Sequence, residues 1–595
     1  MTSQQTAKSK DRLVPVAQPE IRSEPCEGAD LVLDAFLRHR VKHVFIYPGG
    51  TIAPILDRIE KRSKIEIVCP RTEQGAGYAA LGYARMTGET AVFMVTSGPG
   101  VTNAVTPIAD AYYDNIPLVV ITGQVGVSDM RGDLPVRQRG FQEVDTVELM
   151  KPITKRAFLV KDIRELPDVM EQAFFLARSG RRGPVVVDLP MNVQRGTTQD
   201  WRVPAKRTDV LPFVPADKIE TLAQWIAGAT RPVILAGGGV IAANAQAELR
   251  ELADRYRIPV TMSMPGMGAY PSQAPLSLGL CGYAGSQYAN LAMYKSDLLI
   301  GIGTTFHLRQ TGSLPDKTVE QGRIARIDVD VNELRHSRVP LDLEINADAK
   351  AALTALLPAL EGQTASNIAS QTVSWLNRIE GWKATYPLLP GKPGRLPKPQ
   401  SVIEAVNIAV RGQKLIVTTG VGQHQVWVPR HFDFDAPDRT LLTSSGHGTM
   451  GFDLPAAIGA KIAHPDAMVI CFVGDGSLQM NIQELATIVE RDLDIKIVVL
   501  DNHALSIVAQ FQRQNWKSHP ATGDKYNPDF AGIALAYGIV GVSITSQQDL
   551  AGKLGVALQH KGPVLIHCQV DPEEDLLPML LGGHTLDDMS HESSF

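Results

Sequence analysis

The chain has 595 residues, with 58 basic and 63 acidic side chains, a net charge of −5 and 44% apolar residues. That balance belongs to a globular protein with several cores; it excludes wholesale disorder and leaves no electrostatic footprint for nucleic acid or an anionic membrane. At roughly 100 to 200 residues per domain the length predicts three or four domains. No apolar run reaches the ~18 residues of a membrane span, so no membrane partner is expected. Five cysteines, an odd number without a Cys-x-x-Cys pair, support neither a disulfide framework nor a zinc site and fit a reducing cytoplasm. Small molecules are the expected partners.

Residues 1–26 are polar, mixed in charge and lack the apolar core of a secretory signal, so they read as a flexible tail. From there the chain alternates short β-branched runs with amphipathic helical stretches, the pattern of parallel α/β sheets. A first domain, 27–195, has predicted strands at His43–Tyr47, Ile65–Cys69, Thr90–Val95, Leu118–Thr122 and Pro184–Asp188. A polar link follows, and a central domain, 213–362, has strands at Pro232–Ala236, Pro259–Met262, Asp297–Gly301 and Ile324–Val329. Residues 388–400, with four prolines and two glycines, read as a linker. A last domain, 401–572, has strands at Lys414–Thr418, Ala467–Val473, Ile495–Asp501 and Val564–Val570, and 573–595 form a C-terminal tail. The expected fold class is α/β, with three consecutive doubly wound parallel sheets. Such sheets host many chemistries, so the sites must decide function.

The strongest site signal is Gly474-Asp475-Gly476-Ser477 after one predicted strand, with Asp501-Asn502 after the next. This spacing puts a carboxylate and an amide oxygen at the carboxyl ends of neighbouring strands, where such sheets bind ligands. Two hard oxygen donors with most coordination left open suit Mg²⁺ completed by phosphate oxygens, and the helix beginning near Ser477 adds main-chain N–H groups for the same anion.

This pattern resembles the thiamine diphosphate motif, whose last pair is usually Asn-Asn; Asp501 departs from it at the non-ligating position. The resemblance implies Asp475, Asn502 and the main-chain carbonyl of Ala504 as Mg²⁺ ligands. It further implies Glu73, in Glu73-Gln74-Gly75-Ala76, as the carboxylate that hydrogen-bonds N1′ of the cofactor's aminopyrimidine. Met450, in Gly448-Thr449-Met450-Gly451, matches the residue under the bend between the two cofactor rings. Val421-Gly422-Gln423-His424-Gln425 matches the loop that contacts the diphosphate.

The wider match, from about Gly28 to Met589, is similar to the catalytic subunits of acetolactate synthases. It runs through Tyr47-Pro48-Gly49-Gly50, Ser97-Gly98-Pro99-Gly100 to Asn103, Phe141-Gln142-Glu143, Pro152-Ile153-Thr154-Lys155 and Leu577-Pro578-Met579. Gly49, Gly98 and Asn103 would lie beside the pyrimidine ring, and Gln142 would donate toward a substrate oxygen. The family also binds FAD in its central domain, structurally rather than for redox; the matching positions are Arg181, Gly238, Ser263, Met264, Gly303, Phe306, Asp328 and Asp348. A homodimer or homotetramer follows from the family, since its cofactor bridges domains of different chains, and a regulatory small subunit is a further partner it implies.

The implied activity decarboxylates pyruvate and transfers the hydroxyethyl unit to a second 2-oxo acid, acetolactate being the product from two pyruvates in branched-chain amino acid type chemistry. Departures fall on acceptor recognition. The family's channel lysine is Met191, its Leu-Gly-Met-His-Gly is Cys281-Gly282-Tyr283-Ala284-Gly285, its Phe-Asp-Asp-Arg is Phe306-His307-Leu308-Arg309, and its selectivity tryptophan is Phe511. Tyr283, Arg309 and Phe511 are therefore the expected substrate pocket. Three alternatives stay open: an aldehyde or keto-sugar acceptor, a simple decarboxylase, and a non-catalytic nucleotide-binding paralogue.

Overall fold

A computed structural model describes residues 21–209, 211–361, 369–388, 394–523 and 525–592. Three six-stranded sheets, parallel throughout, organise the chain. The first contains β1 (His43–Tyr47), β2 (Glu66–Val68), β3 (Ala91–Val95), β4 (Leu118–Gln124), β5 (Arg156–Leu159) and β6 (Pro184–Pro190), in the order β2-β1-β3-β4-β6-β5. The second contains β7 (Pro232–Ala236), β8 (Val260–Met262), β9 (Ser277–Leu280), β10 (Leu298–Ile302), β11 (Arg323–Asp328) and β12 (Leu343–Asn346), in the order β9-β8-β7-β10-β11-β12. The third contains β13 (Leu415–Thr419), β14 (Arg439–Thr443), β15 (Met468–Gly474), β16 (Ile495–Asp501), β17 (Val540–Ile544) and β18 (Val564–Gln569), in the order β14-β13-β15-β16-β18-β17.

The first and third sheets share one winding, and the central sheet has the order of a dinucleotide-binding sheet. In each, two strands wind in opposite senses from a central pair: β1 and β3, β7 and β10, β13 and β15. The crevice at the carboxyl ends of such a pair is where doubly wound sheets bind ligands. The central strands are buried along their length because helices cover both faces, which explains their nearly unbroken apolar sequences.

The first and third domains meet through the helices Glu73–Thr87 and Asp453–Ala463. A Cβ at Gly459 would lie 1.8 Å from the carbonyl oxygen of Ala79, and one at Gly82 would lie 2.2 Å from that of Ala456. Only glycine permits this approach, and the pairing of Ala79 with Gly459 and Gly82 with Ala456 makes the helices antiparallel. One apolar core consequently runs from Phe45 and Tyr78 into Leu454 and Ile458.

Several boundaries differ from the sequence reading. Of the proposed N-terminal tail, residues 1–20 lie outside the described residues, whereas Ile21–Arg22 pair with Trp201–Arg202 and Cys26–Glu27 with Thr197–Thr198. Beyond residue 362, the helix Val373–Thr385 adds Trp375 and Ile379 to the central core. Residues 389–393 of the linker lie outside the described residues, and Pro399 already opens a helix. The C-terminal stretch is packed: Leu580, Leu586 and Met589 join Val233 and Leu235 in the central core. Within the three six-stranded sheets five strands went unread, β5, β9, β12, β14 and β17, and every one is a sheet edge.

Candidate functional site

The third sheet builds its crevice from the turns after β13 and β15. His424 opens the helix His424–His431; its ring lies against Gly474, where a Cβ would sit 3.0 Å from Cε1, and against Gly422, where one would sit 2.7 Å from Nδ1. Glycine is required at both because the imidazole occupies the side-chain space. His424 is buried, its Nε2 has no hydrogen-bond partner among the described residues, with Asp453 Oδ2 3.9 Å away, and burial pushes its pKa down to about 4, so at neutral pH the ring is uncharged. Gln423 Oε1 is likewise buried without a partner. Orphaned polar atoms of this kind mark a cradle shaped for a polar guest.

Across the crevice, Asp475 accepts from Gly476 N at 2.9 Å and from Asn527 Nδ2 at 2.6 Å. Burial, reinforced by the neighbouring Asp501, pushes Asp475 up to about 6; a cation placed there would reverse that penalty. Asn527 also donates to Asp501 Oδ1 at 2.7 Å, while Asp501 Oδ2 meets His567 Nε2 at 2.8 Å. The departure from Asn-Asn is thereby absorbed: the extra carboxylate is held from the next strand instead of facing the crevice. Asn502 is buried beside it, and His503, at φ +56°, turns the chain toward Ala504. One carboxylate, one amide and one carbonyl make a hard donor set with vacant positions, which fits Mg²⁺ completed by a diphosphate.

The methyl group of Met450 comes within 3.4 Å of the Cβ position of Gly476, so methionine and motif glycine share the crevice wall. Gly448 and Gly451, at φ +74° and +83°, supply the turns on either side. The Ser477 hydroxyl donates to Asp453 Oδ2 at 2.7 Å and accepts from Gly451 N at 2.8 Å. Its oxygen is therefore engaged, and what Ser477 offers a phosphate is its place at a helix N-terminus. Burial pushes Asp453 up to about 6. Sequence reasoning missed Asn527, Asp453 and His567. Nothing local marks them, because their partners lie 24 to 66 residues away along the chain.

In the first sheet, the turns after β1 and β3 meet at Gly49, whose Cβ would be 2.4 Å from Thr96 Cβ, and at Ser97 N, which donates to Thr51 Oγ1 at 3.0 Å. Glu73 opens its helix behind the Thr72 cap and is 8% exposed; Asn103 Nδ2 donates to Glu73 Oε2 at 3.1 Å. Gln142, at φ +61°, lies against Gly98, where a Cβ would be 2.8 Å from that of Gln142. A left-handed glutamine costs of order 1 kcal/mol or more and persists only where its surroundings impose it. Glu143 does so by accepting from the main-chain amides of Arg131, Arg139 and Gly140.

Within one chain these two crevices face apart. From Gly459 to Asp453, at the third-domain crevice, is six residues of helix, and from Ala79 to Glu73 is six more in the opposite sense. At about 1.5 Å per residue Glu73 lies roughly 18 Å along the axis from Asp453. Its neighbourhood agrees, since Arg71 N donates to Glu484 at 3.0 Å and Arg71 pairs with Glu490, at the far end of the path leading away from Asp475.

The central crevice is formed by Gly237, Gly238 and Gly239 after β7 and Gly303 after β10, with Gly237 N donating to Ile302 O at 2.9 Å and Gly239 N to Gly303 O at 3.0 Å. Ser263 Oγ is buried without a partner. Met264 packs at the margin of the core, and the ring of Phe306, at φ +50°, lies in the core beneath Gly301. Asp328 accepts from Arg326 at 2.7 Å and from Asp330 N at 3.0 Å, and Asp348 caps Ala351 N at 3.0 Å. Arg181 donates to Asn115 Oδ1 of its own domain at 2.6 Å and pairs across with Glu333 of the central domain.

Tyr283 and Arg309 are joined by a main-chain bond of 2.7 Å, and Leu580 N donates to Tyr283 O at 2.8 Å. Arg309 is exposed and, among the described residues, has no ion-pair partner. Phe511 is 48% exposed and stands edge-on to Trp516 at 5.5 Å. Its neighbour Gln510 is fixed by its amide, which bonds Leu576 N at 2.9 Å and Leu576 O at 3.1 Å.

Three family descriptions match in register with these domains: thiamine pyrophosphate enzyme, N-terminal TPP binding domain, over 26–149; central domain, over 219–356; and C-terminal TPP binding domain, over 420–568. Similar whole chains include the acetolactate synthase large subunit of Cyanidium caldarium, 38% identical over 93% of this chain and 95% of that protein. The acetolactate synthase isozyme 3 large subunit of Escherichia coli is 37% identical over 95% and 98%. The chloroplastic acetolactate synthase of Arabidopsis thaliana is 37% identical over 96% of this chain and 85% of its own length.

Proposed function

This chain belongs to the acetolactate synthase large-subunit family of thiamine pyrophosphate enzymes, and from that premise we propose that it decarboxylates pyruvate and joins the resulting two-carbon unit to a second 2-oxo acid, giving acetolactate from two pyruvates. The observation that carries this reading is the crevice between β13 and β15, where the uncharged ring of His424, without a hydrogen-bond partner for Nε2 among the described residues, lies against Gly474 next to the buried carboxylate of Asp475. Thiamine diphosphate, when bound, supplies the carbon nucleophile and electron sink for the decarboxylation.

Asp475, Asn502 and the Ala504 carbonyl would hold Mg²⁺ against the diphosphate, with Gly422, Gln423, His424, Gly474, Gly476 and Ser477 closing around it. Glu73 would share a proton with N1′ of the pyrimidine, steadied by Asn103 and flanked by Gly49 and Gly98. Met450, with Gly448, would support the cofactor's bend. Gln142 donates toward the substrate oxygen on which charge develops. Arg309 would hold the acceptor's carboxylate, with Tyr283 and Phe511 shaping the space for its side chain. FAD would sit in the central crevice as a structural group, held through Gly238, Gly303, Ser263, Met264, Asp328, Asp348 and Arg181, with Phe306 offering only its main chain because its ring is buried.

Because Glu73 lies roughly 18 Å from Asp453 along the shared axis of the two packed helices, on the side away from the third-domain crevice of its own chain, we assign the working unit to a homodimer in which Glu73 of one copy serves the Asp475 crevice of the other. Pairing of dimers and a regulatory small subunit are extensions consistent with relatives named large subunits. All five cysteines are free, in keeping with a cytoplasmic setting, and no described helix is long and apolar enough to cross a membrane.

Incubation with pyruvate, Mg²⁺ and thiamine diphosphate is expected to yield acetolactate, detected as acetoin after acid treatment; CO₂ release without acetolactate would contradict the carboligase reading. Replacing Phe511 by Trp, the residue the family carries there, is expected to raise acceptance of 2-oxobutyrate over pyruvate by about 10-fold in competition, the discrimination one methylene supports. An unchanged product ratio would remove Phe511 from the pocket.

A further inference from the structure

The turn Thr443–Thr449, between β14 and the helix Asp453–Ala463, is held largely by the first domain. Asp114 accepts from two successive main-chain amides, Ser445 N at 2.8 Å and Gly446 N at 2.7 Å. One helical turn earlier, on Val105–Tyr113, Asp110 accepts from Ser444 Oγ at 2.7 Å, and that hydroxyl accepts from Thr449 N at 2.8 Å, closing the turn on itself. Arg85 donates to Thr443 O at 2.7 Å, and the His447 ring stacks on Tyr113 at 5.3 Å with 8° between planes. A Cβ at Gly446 would be 2.9 Å from Tyr113 O, so the two segments touch at main-chain distance.

Two buried carboxylates four residues apart are costly. Asp110 is fully buried, and burial together with Asp114 pushes it up to about 8. Asp114 is also raised by burial but is opposed by Arg85, 3.9 Å away, and by its two amides. Apolar helix packing already joins the domains, so this polar expense serves a more local purpose. The turn leads directly into Met450, whose methyl group reaches the Gly476 wall of the crevice. At the other end of the same helical stretch stands Asn103, bonded to Glu73.

We propose that Asp114 is a positioning residue for the reaction: through the Ser445 and Gly446 amides it fixes the turn that aims Met450 into the cofactor crevice, so the first domain sets the geometry of the third-domain crevice in its own chain. The inference rests on the role assigned to Met450. In Asp114→Asn the amide nitrogen turns a donor toward a main-chain N–H, so one of the two bonds is replaced by repulsion.

The test uses the full-length enzyme with thiamine diphosphate and Mg²⁺, comparing wild type, Met450→Ala and Asp114→Asn. The expected result for Asp114→Asn is a kcat lower by roughly 10- to 100-fold, the cost of misplacing a reacting group by about 1 Å. The Kd for thiamine diphosphate, by calorimetry, is expected to stay within about 3-fold, and the near-ultraviolet circular dichroism of the bound cofactor to change as it does in Met450→Ala. If Met450→Ala leaves both signals untouched, the reading of Met450 fails. If Met450→Ala alters them and Asp114→Asn does not, the positioning role is overturned. Should Asp114→Asn be insoluble, Asp114→Ala, which removes the acceptor of both amides together with the buried charge, decides by the same signals: a lower kcat with altered dichroism supports the proposal, and wild-type values overturn it.

Discussion

Glu73→Gln is expected to lower kcat with pyruvate by about 10³-fold, within the range that a positioned proton-transfer group contributes, while leaving the Kd of thiamine diphosphate within a few-fold. Glutamine has the same shape and keeps an oxygen to accept from Asn103 Nδ2, which now stands 3.1 Å from Glu73 Oε2. The helix start behind Thr72 does not depend on the carboxylate either, because the Thr72 hydroxyl itself accepts from Gly75 N at 3.0 Å. What the amide cannot do is hold and release a proton at the pyrimidine nitrogen. Steady-state rates together with calorimetric titration separate the two effects; an active variant would remove Glu73 from its role.

Asp475→Ala is expected to weaken Mg²⁺-dependent uptake of thiamine diphosphate by at least ~100-fold, the upper end of what even outer-sphere changes cost at metal sites. It deletes the one carboxylate in the proposed ligand set, takes from Gly476 N its acceptor and leaves Asn527 bonded to Asp501 alone. The apoprotein is not expected to suffer in proportion, since burial pushes Asp475 up to about 6 and its charge is a burden until a cation arrives. Thermal unfolding checks both halves: wild type gains stability when Mg²⁺ and thiamine diphosphate are added together, as any ligand of the folded state requires, and the variant does not. A variant that still gains it would place the cation elsewhere.

Legibility in the sequence was greatest for strands inside the sheets. Central strands such as β7 and β16 are buried on both faces and read as unbroken apolar runs, and their bounds coincide with the sequence reading. Edge strands other than β2 escaped: β17 exposes Val540 and Ser543 and buries only Ile544, and β5 begins with an exposed arginine, so neither carries a continuous apolar signal. The C-terminal segment reads as a tail because its apolar residues Leu580, Leu586 and Met589 are spread among turns, although they seal the central core.

At the site, what lay in one contiguous motif was visible: Asp475 in its glycine turn, Asn502 after the next strand, His424 in its loop. What depends on distant pairing was not. The departure at Asp501 looks like a defect in the motif until His567, on the neighbouring strand, and Asn527, from a loop, are seen to hold it. Asp453 gave no signal either, yet it governs the Ser477 hydroxyl. Helix packing supplied what no motif held, namely that Glu73 lies away from the Asp475 crevice of its own chain.

Co-expression of Glu73→Gln and Asp475→Ala chains tests the central claim directly, that one cofactor is gripped by Glu73 of one copy and Asp475 of another. Each variant alone is inactive on this account, but a mixed dimer has one intact site, so random pairing should restore about one quarter of wild-type activity. Recovery near that level supports the shared site, whereas a mixture as inactive as its parents would show that each chain carries both halves of its own site.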